Sequence, residues 1–277
     1  MDGTYKCGTC PTQELVDAFE TADGQPILDL SKPYLDDKHL QPNYNPANKL
    51  YDPKNPYQNR DPRLTATVLC NGDSLIWNNG EVFTVETYVD GRHGISLDPS
   101  DRAHSRTGYY HRKLVTPQAS NTNPINNSNW KFFRLGEIIL NYAEAAAESG
   151  HIAEAKAAVD EIRARVNMPA LPAGLSKDEM ILRVRNERRV ELAWEEVRYF
   201  DLRRWQKPDG NLNATCRWLT GMRITKNNDG SFNYQRYNIS SNPRGGYQNR
   251  DLLLPLPLDE VSRLESTTGV SWQNQGW

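Results

Sequence analysis

Between Lys177 and Trp205 the chain reads as helix, and that helix carries acid on a face built for burial. Projected at 100° per residue, Met180, Val184, Trp194, Leu202 and Trp205 define one face, and Glu187, Glu191 and Arg198 fall inside it. Glu195 stands at its margin. Glutamates at successive i+4 spacings repel by a few tenths of a kcal/mol each, and a buried carboxylate must be paired. Cations must therefore meet this face. Arg188, Arg189, Arg198, Arg203 and Arg204 lie in the same segment, with Arg134, Arg163 and Arg165 in its predecessors. The expected result is an interhelical ion-pair network of Arg134, Glu187, Arg188, Glu191, Glu195 and Arg198.

Shielded carboxylates are also the equipment of a glycoside hydrolase, in which one acid is raised in pKa to protonate the leaving group. That chemistry needs the two groups across a cleft from one another. Residues one turn apart, about 5–6 Å between Cβ atoms, point the same way, and so many arginines would push their pKa values down. The pattern favours a structural network over catalysis.

The rest of the chain sorts into helices and long polar excursions. A short helix holding Leu15, Val16, Ala18 and Phe19 ends at Asp23-Gly24, and the Pro- and Asn-rich text from 31 to 63 reads as loop. Residues 64–70 and 82–89 alternate and are expected to pair as a hairpin across Asn78-Asn79-Gly80. Helices are expected from Phe133 to Ser149 and from Ala153 to Val166, with Gly150 at the turn. Their spacing is close to that of a tetratricopeptide repeat. A single repeat cannot bury its own faces and about three are usually required, so either further repeats lie outside this sequence or the loop-rich regions cover the exposed faces. Ser176 and Glu179 form a capping box at the start of the third helix, which is expected to run unbroken to Trp205. Residues 210–250 are again turn-rich, with a hairpin turn at Asn227-Asn228-Asp229-Gly230, and Leu252 to Pro257 should dock, extended, against the helices. The fold class is mainly α: a tetratricopeptide-like core at about 131–205, long irregular loops at 31–130 and 206–250, and one or two small β-hairpins.

A chain of 277 residues can bury a substantial core, and its 17 prolines and 18 glycines fit the loop-rich reading. Net charge is −2 with both signs interspersed, which argues against nucleic acid or an anionic membrane surface as partner. No stretch reaches the ~20 apolar residues of a membrane span, and Met1-Asp2-Gly3-Thr4 does not open a signal peptide. Export would need a signal not present in this sequence. Cys7 and Cys10 form a CxxC without the second ligand pair that zinc requires. No metal, no cofactor and no Ser-His-Asp arrangement is expected.

Four segments, in order, resemble the SusD/RagB family: Asn59-Arg60-Asp61-Pro62-Arg63-Leu64; Arg134-Leu135 through Asn141-Tyr142-Ala143-Glu144-Ala145; Glu187-Arg188-Arg189-Val190-Glu191-Leu192-Ala193-Trp194-Glu195 with Arg198 to Trp205; and Leu254-Pro255-Leu256-Pro257 with Gln275-Gly276-Trp277. The resemblance covers nearly the whole chain and matches the C-terminal part of such proteins as a single domain, residues 1–277, with the family's N-terminal half absent. It implies a non-catalytic, lipid-anchored protein on the outer face of the outer membrane, holding oligo- or polysaccharide for a SusC-like TonB-dependent transporter. The signature residues would be scaffold.

Sugar recognition needs aromatic faces beside amides and charges. The candidates are Trp77, Asn78 and Tyr88 in the first excursion and Trp218, Tyr234, Arg236 and Tyr237 in the second. Trp130, Trp194 and Trp205 are assigned to helix packing. A protein-interaction scaffold of tetratricopeptide type is the alternative to a glycan receptor.

Overall fold

Small side chains let the helices approach. α3 (Leu135–Glu148) and α4 (Ile152–Arg165) form an antiparallel hairpin that turns at Gly150, φ +86°, and α5 (Lys177–Glu191) packs on α3 and α4. Ala143, Ala147, Ala155, Val159, Met180 and Val184 meet in this core. The protein, described from a computed structural model, is defined over residues 9–76, 81–98, 100–115, 129–205, 216–244 and 248–277. Seven α-helices and three two-stranded antiparallel sheets stand among these residues.

A second core gathers α1 (Gln13–Ala18), α2 (Arg63–Thr67) and the hairpin of β5 (Thr220–Lys226) with β6 (Phe232–Asn238) around Phe19, Leu64, Val68, Tyr109, Met222 and Ile224. β5 lies so close on the Thr107 backbone that a side chain at Gly221 would meet it at 2.7 Å. The turn after β5 is the expected one, with Asn227 N–H donating to Ser231 and Gly230 at φ +85°. α5 belongs to both cores: Met180 and Val184 face the helical one, Val190 the other. Its acidic residues consequently lie between them.

Three sequence expectations are corrected. Residues 64–70 do not make a strand of the first hairpin: 63–67 are helical, and β1 (Val68–Leu69) pairs instead with β4 (Tyr110–His111). Leu64 and Val68, both fully buried, fit an i, i+4 pair as well as an alternation, and Asp61 tips the balance by accepting the Arg63 N–H at 2.8 Å. The hairpin is β2 (Ser74–Ile76) with β3 (Val82–Thr84). Secondly, the segment 252–257 does not dock: Leu253 and Leu254 are more than half exposed. It leads into a helix that the sequence reading missed, α7 (Leu258–Thr268), ended by Gly269 at φ +69°.

Thirdly, the helix from 177 to 205 is broken. The capping box holds, with Glu179 N–H donating to Ser176 Oγ and the Ser176 N–H to Glu179 Oε2. α5 stops at Glu191 and α6 (Val197–Arg204) begins after Trp194 and Glu196, both in the left-handed region at φ +65° and +62°. The reason is at the helix end, whose last carbonyls need donors. Lys113 Nζ donates to the carbonyls of Glu191 and Ala193 at 2.9 and 2.8 Å, and Arg134 donates to Glu191 O at 2.9 Å. Cations brought in from elsewhere also suit the negative end of the helix dipole.

Candidate functional site

The acidic face of α5 is met largely by cations from outside it. Arg63, held by Asp61 at 2.6 Å, reaches Glu187 at 2.6 Å and Glu191 at 3.0 Å. Arg163 bridges Glu187 at 3.1 Å and Glu20 at 2.9 Å, and Arg183 also takes Glu20. Glu191 receives Arg134 and Arg165 as well, at 2.8 and 2.7 Å, while Glu195 pairs with Arg134 and Lys113. Burial alone would raise the Glu191 carboxyl; the guanidinium groups of Arg63, Arg134 and Arg165 outweigh it and hold the group below its ordinary range. Glu195 is lowered in the same way, burial being offset by Arg134 and Lys113. In Glu20 burial wins, aided by the charge of Glu187, and its pKa is raised.

Arg188 sits in a neighbouring cluster, between Glu144 at 3.3 Å and Asp201 at 3.1 Å, which Arg204 closes from the other side at 2.5 and 2.6 Å. Arg198 is corrected: it pairs with no carboxylate among the described residues and lies over the Trp205 ring at 5.7 Å. Because the helix breaks at 192–196, Arg198 turns away from the stripe of Glu187 and Glu191. Burial and the like charge of Arg189 lower its pKa to about 9. Sequence reasoning missed Arg63, Lys113 and Glu20 as members; the Asp61-Pro62-Arg63 run was the one available signal.

Two adjoining grooves, about 310 and 460 Å³, open along this layer and share Trp130, Lys131 and Glu195. Trp130 is 58% exposed on their rim, and Trp194 lies tilted against His111, ring centroids 4.3 Å apart, in the helix break, so neither belongs to regular helix packing as expected. Glu191 and Glu195 are the carboxylates lining the first groove, both ion-paired and both on the same side. With pKa values pushed down, they carry no proton to give at neutral pH, and no partner carboxylate faces them across that groove among the described residues. Nor do any three His, Cys, Asp or Glu among the described residues form a metal-sized cluster.

The glycan candidates are not brought together in either groove. Trp77 and Asn78 lie outside the described residues. On β6 the alternation turns Tyr234 and Arg236 inward: Tyr234 meets Tyr57 edge-on at 5.7 Å, and Arg236 forms a buried fork with Asp17, two bonds of 2.7 Å. Both serve the core, because they stand across from buried Ile224 and Met222. Tyr237 faces the other way, donating its hydroxyl to the Arg106 carbonyl, with Arg223 5.8 Å above its ring. Trp218 lies at that same end of the hairpin under Lys38, 5.2 Å away. Tyr88 is at the far end, against Phe232 and beneath Lys226.

The SusD family model matches residues 1–277. The chain belongs to the SusD family. A SusD-like protein from Bacteroides fragilis, 30% identical, superposes with a TM-score of 0.70 over 98% of this chain and 47% of its own length. A second protein from that organism, described as a SusD-like carbohydrate-binding protein, is 25% identical with a TM-score of 0.56, over 90% of this chain and 46% of its own. This SusD-family chain thus spans about half the length of the solved relatives it matches. No curated protein matches it. Of the four motifs that resembled the family, the first three fall on α2 and the turn before it, on α3, and on α5 with α6, where Arg63, Arg134, Glu144, Glu187, Glu191 and Arg204 pair across elements; the fourth, which has no charged residue, lies in the C-terminal segment.

Proposed function

We propose that this SusD-family chain binds oligo- or polysaccharide at the cell surface without altering it, and delivers it to a SusC-like TonB-dependent transporter in the outer membrane. In this reading the protein is lipid-anchored on the extracellular face and its α3–α4 hairpin is one tetratricopeptide-type unit. The observation that carries the binding role is kinship with a carbohydrate-binding relative in a chain whose acidic stripe, Glu187, Glu191 and Glu195, is paired throughout with arginine or lysine. A hydrolase needs one of them free to titrate; a receptor does not.

The contact surface we favour is the end of the β5–β6 hairpin that carries Trp218 and Tyr237, with Tyr88 as a separate contact at the other end. Each ring has a cation over it that holds the ring in place, and a pyranose would stack its apolar side against these aromatics. Affinity electrophoresis through gels containing a panel of soluble polysaccharides tests the reading. Retardation by at least one glycan is expected, and Trp218→Ala or Tyr237→Ala should weaken it roughly tenfold, as loss of one stacking platform does. No retardation by any glycan would defeat the receptor reading, and release of reducing sugar would defeat the non-catalytic one.

A further inference from the structure

The net charge of −2 conceals a local imbalance. From Cys216 to Arg244 the cations are Arg217, Arg223, Lys226, Arg236 and Arg244, and the one acid is Asp229, which lies in the β5–β6 turn and is held by Ser231 at 2.6 Å. Arg236 is committed to Asp17. Arg217, Arg223 and Arg244 are exposed, and none of them is ion-paired among the described residues. Backbone bonds carry the pairing of the two strands past the end of the hairpin, with Ile239 N–H donating to Leu219 at 3.1 Å and Arg244 N–H to Arg217 at 2.8 Å. Lys38 is fastened to the same end. Its carbonyl accepts from Asn238 at 2.8 Å, and its ammonium lies 5.2 Å from the Trp218 ring.

Behind Trp218 the charge is positive too. Burial pushes the Cys216 thiol up, while Arg198, Arg189, Arg244 and Arg203 all pull it down, so four guanidinium groups act on this one side chain. Neither Arg189 nor Arg198 is ion-paired among the described residues, and Asp201, the acid closest in sequence to Arg198 on α6, is held by Arg188 and Arg204. Glu14, which accepts from Thr220 at the start of β5, is buried against His39. Asp36 and Asp37, next to Lys38 in sequence, are what remains to oppose the cations. An excess of one sign around a binding surface draws in ligands of the other, and a guanidinium fork fits a planar carboxylate or a sulfate better than it fits a hydroxyl.

We propose that the glycan held at this end of the hairpin is acidic, its uronate or sulfate groups taken by Lys38, Arg217, Arg223 and Arg244 while its rings stack on Trp218 and Tyr237. The inference rests on the receptor reading above and names the ligand class for that same surface. It also explains why the cations stand over the rings: one contact holds the apolar side of a sugar and its neighbour holds the charge.

Affinity electrophoresis with paired polymers tests it: dextran against dextran sulfate, and polygalacturonate against the same polymer with its carboxyls reduced to alcohols. Alginate and hyaluronan widen the acidic arm, xylan and laminarin the neutral one. Acidic polymers should bind about tenfold or more tightly than neutral ones, and retardation should fade between about 20 and 500 mM salt. Which pair responds separates carboxylate from sulfate. Arg217→Gln with Arg244→Gln should weaken binding about fivefold, since an exposed charge pair contributes a factor of about two or three, and lysine at both positions should restore most of the loss. The thermal midpoint of the glutamine pair should stay within about 2 °C, because both side chains are in water; Lys38→Gln grades the loss should that pair prove unstable. Retardation by neutral polymers alone, or an unaltered response of the glutamine variants, overturns this inference and leaves the receptor reading standing. No retardation by any polymer defeats both. Duplex DNA held as tightly as the acidic glycans would also overturn it, by showing attraction to charge without recognition of sugar.

Discussion

Two arginines three residues apart divide the work of one motif. Arg60 meets no carboxylate among the described residues: its guanidinium donates to the carbonyls of Pro56, Val16 and Phe19 at 2.5, 2.6 and 2.7 Å, closing the end of α1. Arg63 is surrounded by Asp61, Glu187 and Glu191; burial would lower its pKa, and the charges of Glu187 and Asp61 raise it instead. A planar fork reaches three acids at once where an ammonium offers one charge centre. Arg63→Leu should cost about 3–5 kcal/mol, chiefly by stranding buried carboxylates. Arg63→Lys should recover part of that, and Arg63→Leu combined with Glu187→Gln should be less destabilising than the sum of the two. Urea unfolding of the four proteins checks the cycle, and strict additivity would mean the pair does not interact in solution.

At the scale of elements, the helices that periodicity and capping define were legible, α3, α4 and the start of α5 within two residues. What was not legible depended on distant partners. The end of α5 is fixed by Lys113 and Arg134, 57 to 80 residues away, and no local signal between Leu192 and Glu196 announces it. The exchange of partners that gives Val68 to Tyr110–His111 has the same character. The inward placement of Tyr234 and Arg236 was not legible because a strand's two faces look alike until the core lies on one of them. The break itself makes a prediction. Glu196 is exposed at φ +62°, a conformation that costs a side chain about 1–2 kcal/mol and glycine nothing. After the greater entropy of glycine in the unfolded chain is subtracted, Glu196→Gly should stabilise the protein by up to about 1 kcal/mol, while Glu196→Ala should be neutral. Equal melting temperatures for the two variants would place residue 196 outside the left-handed region in solution.

In the whole molecule, the helical core and the β5–β6 core are joined through a layer of charge rather than apolar side chains, and that layer sets how the protein responds to acid. Asp17, Glu144, Glu191 and Glu195 have folded-state pKa values below their ordinary ones, burial being outweighed in each by paired cations. Such groups contribute stability that is present above the unfolded values, about 3.9 for Asp and 4.3 for Glu, and that disappears as pH falls through the depressed folded values. Glu20 has the opposite sign. Its raised pKa means the folded state holds the proton more tightly, so acidification through the window above about 4.3 stabilises the protein at this one position. From neutral pH downward the thermal midpoint should therefore hold level or rise slightly, then fall steeply below about pH 4 as the four lowered carboxylates take up protons. In Glu20→Gln the slight rise should be lost and the steep fall kept. Melting curves from pH 7 to 3 decide it: a midpoint that keeps climbing below pH 4 would mean that these four paired carboxylates are already protonated in the folded state. Arginine would then have no charge there to neutralise, and the case against an acid catalyst in this layer would fail with it.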